Sequence, residues 1–148
     1  MTETILKMQK KVKRYLDKDR YDHTIGVMHT AGCLAMRYGA NLEQALTAGL
    51  LHDCAKCVPA DEKIKLCEKN HIEISDAEYK NPGLLHAKLG AFFARKKYGI
   101  ENEEILRSIE SHTTGRPNMS LLDKIIYIAD YIEPGRDVAP NLPEVRAL

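Results

Sequence analysis

No stretch of this 148-residue chain alternates apolar and polar residues with the period of two that a half-buried strand needs. Apolar side chains recur every three or four positions instead, and that spacing restricts the chain to packed helices. Ile5, Leu6, Met8, Val12, Tyr15 and Leu16 keep it, with lysines and arginines between them, which predicts an amphipathic N-terminal helix. A second helix is expected over about 22–38, with Val27, Leu34 and Ala35 facing inward and Gly39 just past its end. Asn41 and Gln44 resemble a capping box opening a third helix with Leu42, Leu46, Leu50 and Leu51. Pro59 follows it closely, so His52 and Asp53 fall near the C-terminus of that helix.

Residues 60–70 read as a charged, mostly exposed helix. A Pro82-Gly83 turn starts the next one, which runs to Gly99 with His86 in its first turn. Another spans about 102–112 and finishes at His112, and "TTGRPNM" is a loop by composition. Ser120 with Asp123 caps the last clear helix, "LLDKIIYIADYI", which Pro134 ends. The fold class is all-α, and the length fits one domain over 1–148. After Pro143 a further helix opens, and additional C-terminal helices are expected beyond Leu148 to pack on this core.

Apolar residues make up 44% of the chain, enough for an ordinary core. Twenty-two Lys and Arg against 21 Asp and Glu leave a net charge of +1, which gives no global pull toward nucleic acid or an anionic membrane. The N-terminus lacks the apolar run of a signal peptide, and no span of about 20 apolar residues occurs. A cytoplasmic protein is expected, with no nucleic-acid or membrane partner. In that reducing compartment the four cysteines would not form structural disulfides. Cys54 and Cys57 form a CxxC with no second pair to complete a zinc ribbon, so they are expected to be two partly buried thiols of no assigned role.

Four of the six histidines fall at or within about a turn of helix ends: His23, His52, His86 and His112. Asp53 adjoins one of them, and Asp130 lies near the end of the last clear helix. Helix ends in a bundle can converge on one pocket, and imidazole with carboxylate suits iron, manganese, zinc or nickel rather than calcium. A histidine at a helix C-terminus can also simply favour the dipole, and Asp130 could be a buried carboxylate bonded to a backbone amide. His29 and His71 have no such context.

The order His23, His52-Asp53, Asp130 resembles the HD superfamily of metal-dependent phosphohydrolases, whose fold is a helical bundle. "RYDHTIGV", "GLLHDCAK", "LLHAKLGA", "SHTTGRP" and "DKIIYIADYIEPGRD" are similar to the bacterial YqeK family from about Arg20 to Arg136. The resemblance implies a symmetrical diadenosine tetraphosphate hydrolase that releases two ADP at a two-iron centre, with manganese, nickel, cobalt and zinc as alternative metals. It implies that His52 binds one metal while Asp53 bridges both. His23 and Asp130 would complete the ligand set of the first metal, and His86 and His112 that of the second metal.

On that reading a metal-activated water attacks an inner phosphorus, and Asp53 and Lys56 are the candidate catalytic residues. Phosphoryl transfer leaves the protein mainly positioning and charge neutralisation to supply. Arg20, Lys56, Thr113, Thr114, Arg116 and Arg136 are therefore the candidate phosphate contacts, with His23 and Asp130 beside them. Tyr21, Tyr127 and Tyr131 read as core or turn residues, and no adenine pocket is identified. A homodimer would not be surprising. Three rivals stand beside this reading. The first is another HD activity, either an oxygenase or the cleavage of cyclic dinucleotides or guanosine polyphosphates. The others are a nucleotide-binding sensor with little turnover and a helical scaffold.

Overall fold

Helix ends place the site, and side-chain caps fix most of the helix starts. The structure, a computed structural model, describes residues 2–148, and the described residues form helices and turns without a strand. α1 (Glu3–Lys13) starts where the Thr2 side chain accepts the Ile5 N–H. α2 (Lys18–Tyr38) begins four residues before the apolar spacing indicated, because Asp17 accepts the Arg20 N–H. His23 accordingly lies in the second turn of α2. The helix stops at Gly39 in the left-handed region (φ 77°), which glycine adopts without penalty.

α3 (Leu42–Leu51) is capped by Asn41, and α4 (Ala60–Lys69) follows Pro59. α5 (Asp76–Lys80) is absent from the sequence expectation; its capping box, Ser75 with Glu78, is present, but five residues are too few for a periodic signal. After a 3₁₀ turn at Pro82–Leu84 the chain enters α6 (Leu85–Tyr98), then α7 (Glu103–Glu110), α8 (Leu121–Ile132) and α9 (Leu142–Ala147).

α2 packs against α3 and α8, and α7 packs against α3, α6 and α8. Gly49 lets α2 and α3 approach closely, since a Cβ there would stand 2.9 Å from the Met28 Cα. The larger apolar cluster includes Ile5, Val12, Met28, Leu50, Leu51, Ile109 and Ile126. A smaller one joins Cys54, Ala55 and Cys67 to Leu85, Leu89 and Phe93. Each fully buried large side chain contributes about 1.5–3 kcal/mol, and Leu50→Ala would cost about 2–5 kcal/mol.

His52 and Asp53 sit in the chain between Leu51 of the first cluster and Cys54 of the second. Two buried apolar bodies therefore meet at the paired polar residues. All four thiols are free, and the expected pair of partly buried cysteines divides into a buried Cys54 and an exposed Cys57. Burial pushes the Cys54 thiol up to about 12, so it stays protonated and inert. No described helix is long and apolar enough to cross a membrane.

Candidate metal centre

Three of the four helix-end imidazoles are oriented by the main chain of their own turn. His52 Nδ1 donates to the Gly49 carbonyl at 2.7 Å, His86 Nδ1 to Gly83 at 2.6 Å, and His112 Nδ1 to Ile109 at 2.6 Å. A carbonyl only accepts, so the hydrogen is on Nδ1 and each Nε2 presents a lone pair. Each acceptor lies three residues earlier, the geometry of a helical or 3₁₀ turn. His23, inside α2, uses a side chain instead: its Nδ1 donates to Glu133 Oε1 at 3.1 Å.

The four Nε2 atoms converge on two carboxylates. Asp53 Oδ1 stands 3.2 Å from His86 Nε2 and 3.3 Å from His112 Nε2, and these two nitrogens are 3.1 Å apart. Asp53 Oδ2 stands 3.3 Å from His52 Nε2 and 3.8 Å from His23 Nε2. Asp130 Oδ1 lies 2.9 Å from His23 Nε2 and 3.7 Å from His52 Nε2. The two oxygens of Asp53 thus face two different imidazole pairs.

Lone pairs and carboxylate oxygens this close repel one another unless positive charge lies between them. His52 Nε2 makes the point directly, being fully buried with no hydrogen-bond partner. Burial alone would strip His52 of its second proton, yet Asp53 and Asp130 outweigh it and lift the imidazole to about 10. Burial also favours the neutral form of Asp53, but the surrounding imidazoles hold it well below the usual carboxylate range. Asp130 is depressed for the same reason, against its own burial, while burial lowers His86. Two anions here demand cationic charge, and a divalent metal competes for the lone pair that a proton would otherwise take. Two donor groups fit such an ion: His23, His52 and Asp130, and His52, Asp53 and His112.

Above these donors lies a cleft of about 510 Å³ lined by Asp53, His86, His112 and Asp130 together with Arg20, Lys56, Thr113 and Arg136. Arg20 Nη1 contacts Asp53 Oδ2 at 3.0 Å, and Arg136 Nη2 contacts Asp130 Oδ1 at 3.2 Å. A neighbouring cavity of about 600 Å³ shares both arginines and adds His23 and Glu133.

Two expected phosphate contacts do not line either cavity. Arg116 donates to Asp123 Oδ2 at 2.6 Å, because the Asp123 carboxylate is buried at the start of α8 and needs a counter-charge. Arg116 thereby ties the loop after His112 to the helix that carries Asp130. Thr114 is exposed, with its hydroxyl turned to the Gly115 carbonyl. His29 and His71 are exposed and outside the cluster. Sequence reasoning missed Glu133, which lies 110 positions from its partner His23, and the placement of Tyr127 and Tyr131 on the cleft wall. Glu133 was marked only by the Pro134 that ends α8.

Known proteins resemble this chain along most of its length. The HD domain family matches residues 20–135. A symmetrical bis(5'-nucleosyl)-tetraphosphatase of Halalkalibacterium halodurans is 47% identical over 135 residues, covering 91% of this chain and 71% of the relative. The protein of the same description from Bacillus subtilis is 44% identical over 137 residues, covering 93% and 73%. Among solved structures, a predicted HD superfamily hydrolase involved in NAD metabolism from Clostridium acetobutylicum superposes with a TM-score of 0.90 at 48% identity, over 95% of this chain and 74% of that one. A histidine and aspartate cluster at converging helix ends, a helical bundle and these relatives lead to one assignment: the chain belongs to the HD domain family, in the group of the symmetrical bis(5'-nucleosyl)-tetraphosphatases.

Proposed function

We propose that the chain hydrolyses diadenosine tetraphosphate symmetrically into two molecules of ADP, using two divalent cations, iron foremost, on the two faces of the Asp53 carboxylate. The observation that carries the metal reading is the approach of His86 Nε2 and His112 Nε2 to 3.1 Å, both beside Asp53 Oδ1. With hydrogens on both Nδ1 atoms, the two Nε2 lone pairs face each other beside Asp53, a donor set that a bound metal ion would satisfy. The substrate reading draws on the tetraphosphatases at 44–47% identity.

His86, His112 and Asp53 Oδ1 would hold one cation; His23, His52, Asp130 and Asp53 Oδ2 would hold the other. Bound there, the cations would polarise phosphate oxygens and lower the pKa of a water. Arg20 and Arg136 are paired with the same two carboxylates, and with those carboxylates neutralised by bound metal their guanidinium N–H groups would be free to donate to phosphate oxygens. Lys56 and Thr113 add an ammonium and a hydroxyl to the same cleft. Positioning and charge neutralisation of this kind are what phosphoryl transfer asks of a protein.

The test is anaerobic purification, metal counting and an assay of diadenosine tetraphosphate in one sample. Two metal equivalents with catalytic release of ADP as sole product is the expected result. Release of ATP with AMP would overturn symmetrical cleavage, and release of ADP limited to one turnover would make the protein a nucleotide sensor.

A further inference from the structure

We infer that Glu133, seated in a cradle that requires glycine at position 26, is the positioning residue that sets metal affinity on the His23 side of the centre; the inference rests on the two-cation reading above. Glu133 is a carboxylate only 3% exposed. Oε1 accepts the His23 Nδ1–H at 3.1 Å, and Oε2 accepts the Gly135 N–H at 2.8 Å. Its main-chain carbonyl is held as well, accepting from Arg136 N–H at 3.0 Å and Arg146 Nη2 at 2.9 Å. The carboxylate is thus held at both oxygens over a fixed main chain, and moving it aside would break its bonds to His23 and Gly135.

Gly26 lies three residues beyond His23, on the same face of α2. A Cβ built at Gly26 overlaps the Glu133 carboxylate, with Cδ only 3.1 Å away. Glycine in the middle of a helix is unfavourable compared with alanine. Here it opens the space through which Glu133 reaches α2. The other three imidazoles take their orientation from carbonyls that every residue carries, whereas His23 depends on one side chain. Glu133 fixes the hydrogen on Nδ1, points Nε2 at Asp130, and lends its negative charge to a cation bound at that nitrogen.

The test is titration of the metal-free protein with manganese(II) alone, read by equilibrium binding and by the thermal melt of the metal-free form. The wild type is expected to take two equivalents. Glu133→Gln, which keeps shape and removes charge, should weaken one of them by about ten- to a hundredfold and leave the other in place. Gly26→Ala should reproduce that selective loss without lowering the melt of the metal-free protein, because alanine suits a helix better. In a Glu133→Ala background Gly26→Ala should add no further loss, since the group it displaces is already gone. Equal weakening of both equivalents by Glu133→Gln, or none, would overturn the inference. So would a Gly26→Ala effect that persists without Glu133. A wild type that binds no manganese would sink this inference and the two-cation reading together. Two bound equivalents without ADP formation from diadenosine tetraphosphate would sink the substrate reading alone.

Discussion

On one side of Asp53, His86 and His112 have side chains 6% and 1% exposed and take their orientation from main-chain carbonyls. On the other, His23 and Asp130 are 11% and 24% exposed and are held by side chains, Glu133 and Arg136. The first arrangement needs only a histidine placed three residues after a turn carbonyl, so it survives most changes around it. The second needs particular charges at particular distances, and it adjoins the arginines of the cleft. On the two-cation reading proposed above, each side would hold an ion, and the second would also meet the anionic substrate through the arginines paired with Asp53 and Asp130.

Asp53→Ala tests both halves at once. It should remove bound metal and lower turnover by at least about 10³-fold, with helical content by circular dichroism largely intact. Retention of full metal content and turnover in this variant would refute the shared carboxylate. Arg116→Ala breaks the tie between the loop after His112 and α8. It should cost about 1–3 kcal/mol in urea unfolding, since the buried Asp123 keeps the Ser120 N–H but loses its charged partner, while KM stays unchanged. A raised KM with unchanged stability would restore the phosphate role read from sequence.

Arg136→Ala touches only the outer half. Metal content should hold while KM rises about tenfold, the loss of roughly one charged hydrogen bond; steady-state kinetics with elemental analysis decides it. The smallest effect lies outside the centre, at Glu78. Burial alone would raise this carboxyl, but Lys88 at 2.8 Å and Ser75 hold it below the ordinary range. A depressed folded pKa contributes stability above the unfolded value, and that stability is lost as pH falls through the folded one. Lys88→Met should therefore flatten the acid loss of stability between about pH 5 and pH 3, by less than about 1 kcal/mol for a pair whose lysine still meets solvent. Urea midpoints across that range read it out.

The helices were legible because their signals are local. Asn41, Gly39 and Ser120 act within four residues of themselves, and α3, α8 and the end of α2 fall where these signals put them. The early start of α2 and the whole of α5 escaped because capping carboxylates and short turns leave no apolar period. Within the centre, residue types and helix-end positions picked out His23, His52, Asp53, His86, His112 and Asp130, and the fold brings all six together. Arg116 could not be placed from sequence. A loop arginine beside a ligand looks the same whether it faces solvent, phosphate or a buried aspartate seven residues on.

Local chemistry thus marked the candidate residues: helix periodicity put the histidines at or near helix ends, and imidazole with carboxylate suits a transition metal rather than calcium. Tertiary packing decided how they are arranged. That Asp53 faces His86 and His112, that Arg20 reaches Asp53, and that position 26 stands against Glu133 follow from contacts between residues dozens of positions apart. Such contacts are governed by how whole helices pack, and no short window of sequence carries that information.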